Sequence, residues 1–72
     1  MKKEEQLSQL IWWYQYYTDE TKKALKRNSR KTAESYMDKT LGILQLSHSC
    51  GIIQQNEYDD MKDTIINIIF GL

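Results

Sequence analysis

The amino-acid sequence predicts an all-α fold, a three-helix antiparallel bundle. Apolar side chains recur at spacings of three and four residues in three successive segments, which is the period of an amphipathic helix. The 72 residues contain no proline, so no position lacks the backbone donor that a helix uses. A chain of this length forms one domain at most, here residues 1–72. We predict three helices, at residues 3–27, 30–49 and 55–70.

The first helix is indicated by a stripe of apolar side chains. The stripe consists of Leu7, Leu10, Ile11, Tyr14, Tyr17, Thr21 and Leu25. Acidic residues lie near the start of this segment and basic residues near its end, and both placements stabilise the helix dipole. Asn28 and Ser29 follow, and both residue types favour helix caps over helix interiors. Because neither glycine nor proline stands at this break, one continuous helix through it stays an open alternative.

The second helix carries a stripe of its own and has a clear end. The stripe consists of Ala33, Tyr36, Met37, Thr40, Leu41, Leu44 and His48. Gly51 follows at the C′ position, where glycine adopts the left-handed conformation that ends many helices. Ile52 is the apolar residue that often accompanies such a glycine. We therefore expect the second and third helices to form a tight hairpin about Gly51.

The third helix is predicted from an apolar face and from acidic residues in its first turns. The face consists of Tyr58, Met61, Ile65, either Ile68 or Ile69, and Leu72. The tail "IINIIFGL" is rich in β-branched residues, which are typical of strands, but the stripe continues through it in phase and favours helix. The tail has almost no polar side, so we predict self-association through Ile66, Ile69 and Phe70. Packing beneath the first helix is the alternative.

The segment "GIIQQNEYDDMKDTII" has a glycine, two apolar residues, a glutamate and an aromatic residue, followed by a lysine-containing amphipathic helix. The matching positions are Gly51, Ile52, Ile53, Glu57, Tyr58, Lys62, Ile65 and Ile66. Together with the preceding "LGILQLSHSC", about 26 residues resemble the short C-terminal domain family known as SHOCT. The resemblance implies two short helices that serve interaction or oligomerisation, without catalytic residues. Gln54 departs from the family's Thr or Ser cap, and Met61 from its second lysine.

The stretch "LIWWYQYY" (residues 10–17) holds five aromatic side chains, more than one buried helix face accommodates. The centre of the buried face is expected at Leu7, Leu10, Tyr14 and Leu25. Its flanks are expected to carry Ile11, Trp13 and Tyr17. At about 100° per residue, Trp12 and Tyr16 then point almost directly away from the buried face. Because interfaces favour aromatic anchors, we predict that both bind a partner; the alternative is burial against helix three or a second copy.

A basic segment, "KKALKRNSRK" (residues 22–31), contains six cations and no acid. The candidate partner-binding cations are Lys22, Lys23, Lys26, Arg27, Arg30 and Lys31. Three interpretations stay open: a solvated helix end that complements the dipole, a phosphate-binding surface for nucleic acid, or a contact to an acidic protein. In a further arrangement, the segment would face an acidic group, within one chain or across a dimer. That group consists of Glu57, Asp59, Asp60 and Asp63.

The small size and the cysteine content restrict how the chain can be stabilised. A domain of 72 residues buries only about 60% of its unfolded surface, so its core is marginal. Cys50 is the only cysteine, which excludes an internal disulfide, and with His48 it is too few for a structural zinc site. We expect neither a metal nor a cofactor. Oligomerisation is the remaining means of stabilisation, and we predict a homodimer.

The charge and hydropathy patterns exclude several classes of protein. Ten basic and ten acidic residues cancel, which disfavours nucleic-acid binding by overall charge. The first residues lack the apolar run of a signal peptide, and no stretch reaches the roughly 20 apolar residues that cross a bilayer. A free thiol without a disulfide fits a reducing compartment. We therefore expect a cytoplasmic protein that makes no membrane contact.

No pattern in the chain supplies a catalytic site, so we expect no enzyme. His48 and Cys50 lie two residues apart, and on a helix such side chains point in different directions. The predicted function is a non-enzymatic protein–protein interaction module. The chain looks like a small accessory or inhibitor protein of bacteria, phages or mobile elements, and we expect it to occlude a larger host protein through the aromatic side of the first helix. The alternative is a small dimeric DNA-binding regulator that uses residues 22–31.

Overall fold

A computed structural model describes residues 2–71 of the chain. These residues form three α-helices and no strand: α1 (Lys3–Lys26), α2 (Arg30–Ser49) and α3 (Gln55–Phe70). The prediction of an all-α three-helix bundle is confirmed, and the β-branched tail is helical. The bundle extends over 39 × 21 × 13 Å. Leu72, which was assigned to the third stripe, lies outside the described residues.

α1 and α2 are separate helices, because the chain turns sharply at Asn28. Asn28 has a φ of +59°, in the left-handed region that asparagine tolerates better than most residues. The Ser29 N–H donates to the Ala24 carbonyl at 2.8 Å, as in a Schellman motif. α1 ends at Lys26, one residue before the predicted end, and Arg27 is its C-cap. An asparagine thus takes the position that glycine holds at most such helix ends.

The turn between α2 and α3 repeats this motif with glycine. Gly51 has a φ of +76°, and the Ile52 N–H donates to the Ser47 carbonyl at 2.9 Å. α3 then begins after Gln54, whose backbone N–H donates to the Glu57 carboxylate at 2.9 Å. This bond satisfies one of the backbone donors that the start of a helix leaves free. The predicted turn at Gly51 is therefore present.

The apolar core contains two clusters, one toward each end of the bundle, and the fully buried Ile65 on α3. The cluster nearer the α2–α3 turn is formed by Leu10, Leu44 and Ile53. The cluster nearer the α1–α2 turn is formed by Ala24, Ala33 and Ile69. From the first cluster to the second, the residue number rises along α1 and falls along α2. The first cluster joins α1 and α2 to the α2–α3 turn, and the second joins all three helices.

Four of the buried residues are polar: Thr18, Thr21, Thr40 and Ser47. The Thr21 hydroxyl donates to the Tyr17 carbonyl at 2.7 Å, and the Thr40 hydroxyl donates to the Tyr36 carbonyl at 2.8 Å. The Thr18 hydroxyl has no hydrogen-bond partner among the described residues. A buried hydroxyl without a partner destabilises a fold, whereas one that bonds to its own helix costs little.

Some apolar side chains lie elsewhere than the predicted stripes place them. α1 turns Thr21 and Ala24 inward, so that Leu25 is only half-buried and Ile11 is exposed. Ile69 was predicted to serve self-association. It is buried instead in the core of its own chain, with 5% of its surface exposed, because it follows Ile65 by one turn on the inner side of α3. The burial of Ile69 beside Ala24 agrees with the alternative prediction, in which the third helix packs against the first.

Candidate protein-binding face

Aromatic rings contact one another in an unbroken series along α1. Trp12 and Tyr16 lie one helical turn apart, and their rings stack with centroids 5.6 Å apart and planes 8° apart. The Trp13 ring lies 4.9 Å from Trp12, edge to face, and 5.5 Å from Tyr17. Tyr17 in turn lies 5.9 Å from Tyr36 of α2. The series therefore runs from the outer side of α1 to its contact with α2.

The outer part of this series is open to solvent. Trp12, Trp13 and Tyr16 are 59%, 43% and 41% exposed. Trp12 is the most exposed of the three, as its position opposite the buried stripe requires. Trp13 was placed on the flank of that stripe, yet it is as exposed as Tyr16 and was not predicted as a binding residue. We call Trp12, Trp13 and Tyr16 the aromatic face.

A groove of about 370 Å³ lies between α1 and α2, beside the aromatic face. Its α1 side carries Leu10, Trp13 and Tyr17, and its other side carries Ile43 and Ile52. Trp13 thus belongs both to the aromatic face and to the wall of the groove. Leu10, Trp13 and Tyr17 follow one another at intervals of three and four residues, so the sequence alone could have placed them on one side of α1. The groove itself depends on how the α2–α3 turn places Ile52, which the sequence pattern does not show.

Among the described residues, three large exposed apolar side chains lie outside the aromatic face: Ile11, Leu46 and Phe70. Leu46 on α2 is 66% exposed and was not predicted as a candidate. Phe70, predicted for self-association, is 53% exposed, and the Arg30 guanidinium lies 5.4 Å from the centre of its ring. Ile66, predicted for the same role, is half-buried. The end of α3 therefore offers one accessible aromatic ring, with a cation of its own chain beside it.

The six cations of the basic segment are exposed and surround the turn between α1 and α2. Two of them pair with acids of their own helix. Lys23 lies 3.6 Å from the Glu20 carboxylate, and Arg30 lies 3.7 Å from the Glu34 carboxylate. Ion pairs of this exposed kind contribute only about 0.3–0.5 kcal/mol each, so both cations are available to stronger partners.

The acidic residues at the start of α3 lie toward the opposite end of the bundle from the basic segment. Tyr58, in that acidic start, stacks on His48 near the end of α2, with ring centroids 5.2 Å apart. Ile69, at the other end of α3, packs with Ala24 and Ala33 beside the basic turn. The acidic and basic regions therefore do not face each other within one chain. A contact between them across a dimer stays a prediction.

His48 and Cys50 occupy separate environments. The His48 ring stacks on Tyr58, and Cys50 is exposed as the C-cap of α2. Within residues 2–71, no three His, Cys, Asp or Glu side chains cluster closely enough to hold a metal ion. None of the three helices combines the length and the hydropathy that crossing a membrane requires.

Tyr14 connects α1 to α3. Its hydroxyl donates to the Met61 carbonyl in a long hydrogen bond of 3.4 Å. Burial raises the pKa of the Tyr14 phenol above its usual value of about 10. The Thr64 and Thr18 hydroxyls near the phenol partly oppose that rise, although the Thr18 hydroxyl does not reach the geometry of a hydrogen bond. The phenol is therefore protonated at neutral pH and acts as a donor. Its position indicates a role in holding α3 against α1.

The chain was compared with protein-family models, with curated proteins and with solved structures, and none of the three comparisons finds a match. The likeness of residues 41–66 to the SHOCT hairpin therefore stays a resemblance.

Proposed function

We propose that this chain is a non-enzymatic protein-interaction module that binds its partner through the aromatic face of α1. The observation that carries the proposal is the stacked pair of Trp12 and Tyr16, which points away from the core while 59% and 41% exposed. Large aromatic side chains in water forgo the burial that would stabilise them. Aromatic residues are also the most frequent energetic anchors of protein interfaces.

The stacking supports this role because it fixes the side chains before a partner arrives. Trp12 contacts both Trp13 and Tyr16, so its rotamers are already restricted in the free chain. Ordering such side chains on binding costs about 0.5–1.5 kcal/mol each, and preorganisation reduces that cost. The groove beside Trp13 supplies a concave site next to the convex rings. A partner with one apolar anchor can use both features.

The charges along α1 suggest the orientation of a larger partner. Lys23 and Lys26 lie on the same outward side of the helix as Tyr16, about 10 and 15 Å further along it. A partner helix with an apolar end and an acidic end would fit this order of side chains. We propose that the chain acts by covering that helix, as a bacterial or phage accessory protein that occludes a host protein.

DNA binding through residues 22–31 is the weaker candidate. The carboxylates of Glu20 and Glu34 lie within 4 Å of Lys23 and Arg30 and add negative charge to the surface that a phosphate backbone would approach. The overall charge of the chain is zero. DNA binding would require an affinity that falls steeply with salt, and we expect no measurable binding of duplex DNA at about 0.15 M salt.

The proposal can be tested by photo-crosslinking in bacterial lysate. A photoreactive amino acid at Gln15, beside the aromatic face, would report what covers Trp12 and Tyr16. We expect crosslinks to one larger protein, identified by mass spectrometry, and their loss in a Trp12→Ala/Tyr16→Ala variant. Leu46→Ala is the matched control, since it removes an exposed apolar side chain from a different helix. Crosslinks that persist in the double variant would refute the proposed binding face.

A further inference from the structure

We infer that the first partner of the aromatic face is a second copy of this chain, bound by antiparallel pairing of two α1 helices. The inference rests on the proposed function, because it names an occupant for the same face. It differs from the predicted self-association through the end of α3. The support comes from the order of exposed side chains along the outward side of α1.

The outward side of α1 carries a seam with the spacing of a coiled coil. Its members follow one another at alternating intervals of four and three residues, as positions that face a second helix do. They are Glu5, Gln9, Trp12, Tyr16, Asp19, Lys23 and Lys26. All seven are exposed, and none takes part in the core. A helix with two such sides, one buried and one free, has room for a second helix along the free side.

The seam is self-complementary when a second α1 runs in the opposite direction. Six of its residues, from Glu5 to Lys23, are arranged symmetrically about position 14, so each of the six has a counterpart within the seam of the other copy. Trp12 of one copy then meets Tyr16 of the other, and this contact occurs twice at the centre. Gln9 of one copy meets Asp19 of the other on either side. A two-fold axis through the aromatic face produces each contact in duplicate.

The charges at the two ends of the seam are also complementary. Glu5 of one copy lies opposite Lys23 of the other, about 13 Å from the centre on each side. The Lys23 side chain is 64% exposed, and its present pair with Glu20 spans 3.6 Å. That exposed pair is weak enough for Lys23 to exchange or share its partner. The last seam residue, Lys26, would face Lys2, the N-cap of α1 in the other copy. Both lysines are exposed, so salt screens their repulsion.

The end of α3 lacks this complementarity. Ile69 is buried, Ile66 is half-buried, and Phe70 already has the Arg30 guanidinium of its own chain beside it. One helix of 24 residues, about 36 Å long, makes a smaller contact than a typical permanent interface. We therefore expect a reversible dimer with a dissociation constant on the order of micromolar.

Charge exchange across the pair tests the inference directly. Sedimentation equilibrium from about 1 µM to 1 mM would measure the dissociation constant of the full chain and its variants. We expect Glu5→Lys and Lys23→Glu each to weaken dimerisation by about tenfold, because each change replaces two ion pairs by two like-charge contacts. The doubly exchanged variant, Glu5→Lys/Lys23→Glu, should return to within about threefold of the natural chain.

The neighbouring residues supply matched controls. Glu4→Lys is the control for Glu5→Lys, and Lys22→Glu is the control for Lys23→Glu, because each makes the same charge change at the preceding residue. Both control positions lie about 100° off the seam. Neither control should change the dissociation constant by more than about twofold. Trp12→Ala/Tyr16→Ala should be a monomer throughout the concentration range. Circular dichroism would verify that every variant is folded.

Three results would overturn the inference. They are a natural chain that is monomeric at 1 mM, a double exchange that fails to restore the dimer, and a dimer abolished by Phe70→Ser but not by the α1 changes.

The crosslinking experiment separates failure of the homodimer from failure of the proposed function. A monomer that still captures a larger protein through Trp12 and Tyr16 refutes only the homodimer. If the chain dimerises but its crosslinks to larger proteins are unchanged in the Trp12→Ala/Tyr16→Ala variant, only the binding of a larger partner through this face is refuted.

Discussion

At the scale of single residues, the buried threonines of α1 differ in whether their hydroxyls find a partner. Thr21 donates to the Tyr17 carbonyl, whereas the Thr18 hydroxyl is buried without a hydrogen bond. Valine has nearly the same shape as threonine and a similar helix propensity. Replacement of either residue by valine therefore isolates the contribution of the hydroxyl to the free energy of unfolding.

We expect Thr18→Val to raise the free energy of unfolding by about 1 kcal/mol, because it removes an unpartnered buried polar group. In a domain of this size, that change corresponds to an increase in Tm of about 4–8 °C. Thr21→Val is the control and should be neutral or destabilising by up to about 1 kcal/mol. Chemical denaturation of both variants measures these values. An unchanged or lower stability for Thr18→Val would show that its hydroxyl is satisfied in solution.

At the scale of elements, the C-terminal ends of α1 and α2 depend on residues with left-handed backbone. Gly51 ends α2 with a φ of +76°, and Asn28 ends α1 with a φ of +59°. Gly42 is different, because it lies inside α2 in helical conformation with open space where a Cβ would extend. The left-handed backbone favours glycine at position 51, and asparagine adopts it at position 28. Position 42 lies within a helix and does not need glycine.

Alanine substitution should therefore have opposite effects at Gly42, inside α2, and at Gly51, just after its end. Gly42→Ala should stabilise the chain by about 0.5–1 kcal/mol, since alanine is the better helix former. Gly51→Ala should destabilise it by about 1–2 kcal/mol, because a Cβ is strained in the left-handed region. Thermal unfolding followed by circular dichroism compares the two. A stabilising Gly51→Ala would mean that the α2–α3 turn has a different conformation in solution.

At the scale of the whole molecule, the distribution of side chains links stability to association. Only seven apolar residues between positions 2 and 71 are buried, and two of them are alanines, while large aromatic rings are left on the surface. A small domain of this kind gains stability when a second copy covers its exposed rings. The proposed α1 pairing would place Trp12 and Tyr16 in that contact.

Association of this kind makes thermal stability depend on protein concentration. We expect Tm to rise by about 5–10 °C over a hundredfold increase in concentration, as mass action requires for a species that exists only when folded. The Trp12→Ala/Tyr16→Ala variant should show no such rise. Scanning calorimetry at several concentrations measures both. A concentration-independent Tm in the natural chain would contradict a dimer in this range.

The sequence by itself determined the helical fold and most of its boundaries, because those features depend on local chemistry. Apolar spacing, dipole-matched charges and Gly51 are properties of a few neighbouring residues, and the structure has the helices they predict. The orientation of Trp12 away from the core followed from helix geometry alone. The sequence left open whether one helix continues through Asn28. The left-handed backbone of Asn28 separates α1 from α2.

Only the tertiary structure decided how the helix faces meet, because those contacts join residues distant in the chain. Small side chains at Ala24 and Ala33 allow α1 and α2 to approach closely, and this arrangement buries Ile69 and leaves Leu25 at the edge. The groove beside Trp13 likewise exists only when the α2–α3 turn places its apolar residues against α1. Periodicity identifies the side of each helix that is apolar, and packing determines which part of that side is buried.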